Sequence, residues 1–186
     1  GQNGGKIVTN DYEISPDGKI LLRWFNNKVT EIDMQSDPNL SKVTSIHNRV
    51  FYGYRSLKKV VLPQGLESIG DEAFGGCELL EEVVLPNGLK EIGEYSFGSC
   101  ALKNITLSNN VTSIGKGAFE YNQLTSVTLP NGIVSIGDCT FQGNQLTSVT
   151  LPKGVTSIGK RAFFGSKITT ISIPDSVENI EDKAFF

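Results

Sequence analysis

The sequence predicts a repeat solenoid, a fold in which short coils of chain stack along one axis. The first observation is a Leu-x-x-Val-x-Leu-Pro block, whose first residue recurs every 22 or 23 residues, at positions 57, 80, 102, 124, 146 and 168. The second is an Ile-Gly-x-x-small-Phe block that follows the first at a constant distance. The third is glycine, 20 of 186 residues, which recurs at fixed places in the unit. Self-similarity at this period is typical of stacked repeats.

The first block predicts a short strand with an abrupt end. In the first clear unit, Val60 and Leu62 are expected to face inward and Val61 outward, because side chains alternate along a strand. Pro63 ends the strand, since proline has a fixed φ and no N–H to donate. Gly65 follows in the turn, where glycine permits a positive φ.

The second block predicts a tight or short helical turn that places a small residue and a phenylalanine in the core. The phenylalanines occupy the same position in every unit: Phe74, Phe97, Phe119, Phe141, Phe163 and Phe185. We expect these rings to stack on one another. The departures are few: Ser108 replaces a proline, Asn110 and Ser176 replace turn glycines, and Glu181 replaces the last Ile-Gly glycine.

The chain divides into three segments. Residues 1–10 begin with several glycines and are expected to be a flexible leader. Residues 11–42 do not fit the repeat, and apolar stretches on both sides of Pro16-Asp17-Gly18 predict a β-hairpin and connection that cover the exposed end of the array. Residues 43–186 are the array itself, with one degenerate repeat around Phe51 and six clear repeats, of which the last is incomplete.

One further position, shortly before the next block, is occupied by cysteine or asparagine in most units. It holds Cys77, Cys100, Asn122 and Asn144, whereas Ser166 departs from the pattern. With Leu-Pro-x-Gly-Val and Ile-Gly-x-x-Ala-Phe in a unit of 22–23 residues, residues 43–186 resemble the BspA-type leucine-rich repeat family. The resemblance implies a leucine-rich repeat solenoid of short parallel β-strands, an extracellular or cell-surface location in bacteria, and a role in adhesion or host-protein binding. A parallel β-helix is the alternative architecture.

Cys77 and Cys100 are equivalent positions on adjacent coils. Neighbouring strands lie about 4.8 Å apart, which is inside the Cα–Cα range of a disulfide. The family resemblance implies that the side chain at this position points inward. We therefore favour two buried reduced thiols, and a disulfide is the alternative. Cys139 falls in a column of mostly polar residues and is expected to be an exposed single thiol.

The sequence gives little support to catalysis, metal binding or nucleic-acid binding. His47 is the only histidine and stands at a glycine position, so we expect it in a surface turn, without a zinc site or a Ser–His–acid triad around it. A glycoside hydrolase needs two close carboxylates, but Glu82 is the single acid among the outward strand positions. The net charge of −3 argues against nucleic-acid binding. We expect no enzyme activity, no cofactor or metal, and no transmembrane segment.

The candidate binding site is the outward side of the strands, where hydroxyl and amide side chains dominate from the third clear unit onward. Its residues are Glu82, Asn104, Thr106, Ser126, Thr128, Ser148, Thr150, Thr170 and Ser172. A regular hydroxyl array can bind a partner through hydrogen bonds. We expect a protein partner, such as a host or extracellular-matrix protein, with carbohydrate as the alternative. The competing interpretation is that such residues simply suit an exposed strand.

The uneven charge along the array and its last residues suggest two ways in which it could associate with other molecules. Residues 67–94 hold eight acids against one lysine, whereas residues 101–174 hold six bases against two acids. Such a gradient can steer a dipolar partner. The array stops at Phe185-Phe186 without a polar final coil, so we expect either end-to-end self-association or a natural chain that continues.

Overall fold

The computed structural model describes residues 4–186. Short strands joined by turns make up most of the ordered backbone, and two 3₁₀ helices, Met34–Ser36 and Leu40–Lys42, lie between the hairpin and the array. The strands are β1 (Ile7–Val8), β2 (Tyr12–Ile14), β3 (Ile20–Trp24), β4 (Glu31–Asp33), β5 (Ser45–Ile46), β6 (Lys59–Val61), β7 (Ser68–Ile69), β8 (Glu82–Val84), β9 (Glu91–Ile92), β10 (Ser113–Ile114), β11 (Ser126–Thr128), β12 (Ser135–Ile136), β13 (Ser148–Thr150), β14 (Ser157–Ile158) and β15 (Asn179–Ile180).

The strands of the array form two rows, each built from one of the two sequence blocks. The first row contains the three-residue strands, which pair in parallel as β4–β6–β8 and as β11–β13. The second row contains the two-residue strands, which pair in parallel as β5–β7–β9–β10 and as β12–β14–β15. Val60 lies opposite Val83 and Ile69 opposite Ile92, so equivalent residues are in register. The predicted solenoid is confirmed, but the second row was not predicted.

A column of phenylalanine rings runs through the core and confirms that successive coils are stacked. Rings from Phe51 to Phe185 have neighbouring centroids 4.9–5.6 Å apart and planes within 12° of parallel. At the N-terminal end the column continues through Trp24, 5.5 Å from Phe51, and Tyr12, 5.7 Å from Trp24. Each coil therefore buries its ring against the coils on either side.

The turn after each first-row strand has a negative φ at its glycine position. Gly65 lies outside the positive-φ region, as do its equivalents in the other coils. The Leu66 N–H donates to the Pro63 carbonyl at 3.1 Å and closes a turn that keeps φ negative. A turn of that kind accepts residues other than glycine, so the positive φ that glycine permits is not used at this position.

The two units that lack the turn glycine use side-chain donors to hold the preceding coil. Asn110 Nδ2 and Ser108 Oγ both donate to the Asn87 carbonyl, at 2.6 and 2.8 Å. Ser176 Oγ donates to the Val155 carbonyl at 2.6 Å. The sequence departures at these positions therefore add hydrogen bonds between coils.

Positive φ occurs instead after the second row, three residues beyond its isoleucine. Residues of this column have φ between 54° and 62°: Arg49, Glu72, Tyr95, Gly117, Cys139, Arg161 and Lys183. The Ile-Gly glycine has a different cause. A Cβ on Gly70 would lie 2.7 Å from the Asn48 backbone nitrogen, so glycine permits the close approach of consecutive coils.

The N-terminal end is covered by an antiparallel unit. The predicted hairpin is present between β2 and β3, with Tyr12 opposite Trp24. The segment expected to be a flexible leader contains β1, whose Ile7 pairs with Ile14 of β2, while Gly1–Asn3 lie outside the described residues. Strand β3 then pairs in parallel with β5, which joins the hairpin to the second row.

Candidate binding surface

Two neighbouring strands of the first row carry the centre of the predicted site. Strands β11 and β13 pair so that Ser126 lies opposite Ser148 and Thr128 opposite Thr150. All four side chains are exposed, whereas Val127 between them faces the core. These four residues form a surface of paired hydroxyl groups, which we call the hydroxyl face.

The other predicted site residues are exposed but do not extend the sheet. Asn104 and Thr106 lie in an irregular segment between β8 and β11, and Thr170 and Ser172 lie in an irregular segment after β13. The expected grid is therefore interrupted on both sides of the hydroxyl face. Before β11, the side chains of Ser108 and Asn110 hydrogen-bond to the preceding coil, as described above. In the described residues, no pair of first-row strands connects β8 with β11.

A shallow groove borders the hydroxyl face where the next coil no longer pairs with β13. Its volume is about 460 Å³. Its walls include Ser148, Thr150, Leu151, Thr170, Ile171 and Ser172. The structure thus brings two of the unpaired site residues, Thr170 and Ser172, beside the hydroxyl face.

Glu82 lies apart from this hydroxyl region. It is on β8, opposite Lys59 of β6, with Glu82 Oε2 3.7 Å from Lys59 Nζ. Both side chains are well exposed, so solvent screens the pair and it adds little stability. Glu82 belongs to the acidic coils, and the irregular segment at Asn104 separates it from β11.

The cysteines at the Cys/Asn position are buried free thiols, as predicted. Cys77 Sγ donates to the Phe51 carbonyl at 3.1 Å, and Cys100 Sγ donates to the Phe74 carbonyl at 3.2 Å. Burial, and then the neighbouring Cys77, raise the pKa of the Cys100 thiol well above its ordinary value. Cys100 is thus held in the neutral form, which makes it a poor nucleophile.

Cys139 is less accessible than predicted. It is partly buried and lies in the left-handed turn column, with a φ of 60°. Burial raises the pKa of Cys139, and the Glu120 and Asp138 carboxylates raise it further. The expectation of an exposed thiol was therefore wrong in degree.

The asparagines at the same position make more bonds than the cysteines. Asn122 Nδ2 donates to the carbonyls of Phe97 and Phe119, at 2.8 and 3.0 Å, and Asn122 Oδ1 accepts from the Leu102 N–H at 3.0 Å. Asn144 repeats this arrangement one coil further on. These are scaffold contacts, and they hold the coil that carries β11.

No metal-binding cluster is found in the part of the chain that the structure describes. Groups of three or more His, Cys, Asp or Glu side chains able to hold a metal ion are absent from residues 4–186. His47 is exposed, in the surface turn that the sequence predicts. Within the same residues, no helix has the length and apolar character needed to cross a membrane.

A second outward surface was missed by sequence reasoning. Ser113 and Ser135 are exposed on β10 and β12 of the second row, one residue before each inward isoleucine. The signal was a polar residue, most often serine, followed by isoleucine at a constant distance from each first block. A two-residue strand offers too short an alternation to be separated from a turn.

The repeat can be compared with known families now that its register is established. A family model described as the BspA type leucine rich repeat region matches with six copies, over residues 44–138 and 112–186. The chain belongs to this family. No curated protein matches this BspA-type chain.

Solved structures similar to this BspA-type chain include bacterial leucine-rich proteins. A leucine-rich cell surface protein from Faecalibacterium prausnitzii is 30% identical, with a TM-score of 0.83, and the match covers 97% of this chain and 51% of that one. A leucine-rich repeat protein from T. pallidum is 30% identical over 83% of this chain and 85% of that one, with a TM-score of 0.61. The BspA-type chain therefore spans about half the length of the F. prausnitzii protein.

The pneumococcal vaccine antigen PcpA shares the fold at lower identity. It is 24% identical, with a TM-score of 0.62, and the match covers 98% of this chain and 44% of PcpA. At that identity the likeness concerns the fold alone. The architecture of this BspA-type chain therefore recurs in bacterial proteins of different lengths.

Proposed function

We propose that this chain is a non-catalytic binding module, secreted or displayed on a bacterial surface, that recognises a protein partner through the hydroxyl face. A surface role is supported by the similar F. prausnitzii protein, which is described as a cell surface protein. The observation that carries the proposal is the in-register pairing of Ser126 with Ser148 and Thr128 with Thr150 on an exposed pair of strands.

The hydroxyl face has the chemistry of a recognition surface that is not highly charged. Each hydroxyl group can both donate and accept a hydrogen bond, and the parallel register repeats the same pair of groups along the axis. A stable protein interface buries about 800 Å² on each partner, which four small side chains do not supply. We therefore include the neighbouring groove with Thr170 and Ser172, and Glu82, Asn104 and Thr106 at the other margin.

The test compares two double variants with the same chemical change on different rows. Ser126→Lys with Ser148→Lys places two long cations on the hydroxyl face. Ser113→Lys with Ser135→Lys is the matched control, because these serines are also exposed, strand-bound and on neighbouring coils. Each protein is immobilised and exposed to extracellular-matrix proteins, and captured proteins are quantified.

We expect the first variant to lose capture while the control keeps it, with thermal unfolding near wild type for both, since exposed substitutions have small effects on stability. Equal capture by all three proteins would remove the hydroxyl face as the site. Binding to a glycan array without capture of any protein would favour carbohydrate as the ligand.

A further inference from the structure

A groove of about 440 Å³ lies where the N-terminal hairpin meets the first coil of the array. Its walls include Arg23, Trp24, Phe25, His47, Asn48 and Arg49. We call it the cap groove. It is distant in sequence from the hydroxyl face and uses none of the residues proposed for that face.

The cap groove exists because two neighbouring segments diverge. Strand β3 pairs with β5 only as far as Leu21, and the last bond between them runs from the His47 N–H to the Leu21 carbonyl. The chain then turns away at Arg49, whose φ is 61°, while β3 continues to Trp24, whose carbonyl accepts from the Tyr54 hydroxyl. In the described part of the chain, the end of β3 is therefore paired with β2 on one side and with no strand on the other.

Two arginines, Arg23 and Arg49, line the cap groove. The Arg23 and Arg49 side chains are 72% and 57% exposed, and none of the groove's lining residues is acidic. Each arginine is paired with a carboxylate outside the lining, with Glu13 Oε2 3.5 Å from Arg23 Nε and Glu72 Oε2 2.7 Å from Arg49 Nη1.

Both guanidinium groups keep donors for a further ligand. A guanidinium has five N–H donors, and the contacts to Glu13 and Glu72 use only part of them. Arg49 is also held in place, because its guanidinium lies 3.9 Å from the centre of the Tyr52 ring. Phe25, 48% exposed, adds an apolar surface beside these charges.

We propose that the cap groove binds an extended acidic peptide segment of a partner protein. Its carboxylates pair with Arg23 and Arg49, and its backbone runs along the unpaired edge of β3. Arginine and carboxylate form charge-assisted and often bidentate hydrogen bonds. The strand edge favours a peptide over a sulfated glycan, because only a peptide can add to a sheet through main-chain hydrogen bonds.

The experiment uses the full chain and a defined probe. The probe is a capped peptide of alternating glutamate and valine. Three other ligands are tested for comparison: the same peptide with lysine for glutamate, the same peptide with alternate amides N-methylated, and heparin. Trp24 is the only tryptophan in the chain, and its buried ring packs on Phe51 beside the groove, so its fluorescence reports binding through a change in that packing. Calorimetry gives the affinity.

We expect the acidic peptide to bind saturably with a change in Trp24 emission, and added salt to weaken it. The lysine peptide and the N-methylated peptide should bind at least about tenfold more weakly. Arg23→Gln should weaken acidic-peptide binding about tenfold, and Arg49→Gln should act in the same direction. Arg55→Gln is the matched control, since Arg55 is exposed, basic and outside the groove, and its affinity should match wild type.

Three results would overturn the proposal. They are undiminished binding by Arg23→Gln with a native unfolding curve, equal binding of the N-methylated peptide, and binding of heparin without binding of the acidic peptide. The last result would assign the groove to a sulfated glycan instead. Failure of the hydroxyl-face test leaves these outcomes unchanged, because the variants and the readout concern a separate site.

Discussion

Consecutive coils are connected by a cysteine side chain in one region of the array and by an asparagine side chain in another, and in both regions the side chain donates to the phenylalanine carbonyl of the preceding coil. Where Cys77 and Cys100 span consecutive coils, the phenylalanine centroids lie 4.9 and 5.0 Å apart. Where Asn122 and Asn144 span them, the centroids lie 5.5 and 5.6 Å apart. A thiol makes one bond to the carbonyl of the preceding coil, whereas an asparagine bonds to several groups and accompanies a wider step.

The difference follows from the length of the loop after each phenylalanine. In the longer loop after Phe74, the Leu80 N–H is satisfied within its own coil, by the Cys77 carbonyl at 2.9 Å. In the loop after Phe97, which is one residue shorter, the Leu102 N–H has to be satisfied from the next coil, by Asn122 Oδ1. Where the loop of the preceding coil is long, the bridging residue needs only a donor for the phenylalanine carbonyl, as cysteine supplies. Where that loop is short, it also needs an acceptor for the leucine N–H, as asparagine supplies.

The largest expected effect tests the ring column in both regions. Phe74→Ala and Phe119→Ala should each cost about 3–5 kcal/mol of unfolding free energy, because each leaves a cavity between two coils. Phe74→Ala should cost more, since its neighbouring rings are closer. Urea denaturation monitored by circular dichroism measures both. A loss below about 1 kcal/mol at either position would contradict the buried column.

The second test removes the bridging side chain from each region. Asn122→Ala should cost about 2–4 kcal/mol, because it strands the Leu102 N–H and the Phe97 carbonyl in the core, while the Phe119 carbonyl keeps the bond from Asn144 Nδ2. Cys100→Ala should cost only about 1–2 kcal/mol, since a single weak donor is lost. Equal losses in the two variants, measured in the same denaturant series, would show that loop length does not decide the residue type.

The third test adds a bridge where the array lacks one. Ser166 faces a short loop in the preceding coil, and the Leu146 N–H has no acceptor among the described residues. Ser166→Asn should therefore stabilise the protein by about 1 kcal/mol, by repeating the Asn144 arrangement. The melting temperature is the readout, and Ser166→Ala is the control that should not raise it. A lower melting temperature for Ser166→Asn would contradict the explanation.

The last test uses the pKa of the buried thiol. Because burial raises the pKa of Cys100 above that of the unfolded chain, the neutral thiol contributes stability that is fully present below the unfolded thiol pKa, about 8.5. That contribution is lost as the pH rises through the higher folded pKa. Stability should therefore fall above about pH 8.5, and Cys100→Ala should reduce the fall. An identical pH dependence in both proteins would exclude this cause.

Sequence reasoning succeeded where one residue type has one structural use. Phe74 and Val60 recur with a constant period and are apolar, so burial in register was predictable. It failed where local geometry decides. Gly65 does not use the positive φ that glycine permits, because the Leu66 N–H donates to the Pro63 carbonyl in a turn that keeps φ negative. The second row depends on pairing between coils, which a two-residue pattern does not reveal.

The candidate site was predicted only in part, for a similar reason. Ser126 and Ser148 share a register that follows from the repeat, and the structure pairs them. Asn104 and Thr170 have the same sequence period but lie outside any strand. The cap groove carried no periodic signal, because it arises from the divergence of β3 from the first coil.

Within the described residues, the hairpin end of the ring column is better covered than the coil of Ile180, and we expect this 186-residue chain to open first at that coil. Trp24 and Tyr12 cover one end, whereas at the other Ile180 is 50% exposed although its equivalent Ile158 is fully buried. Because each coil is stabilised only by its neighbours, amide protons should exchange fastest in the coil of Ile180 and progressively more slowly toward the hairpin. Local unfolding would then proceed from the coil of Ile180 toward the hairpin, one coil at a time.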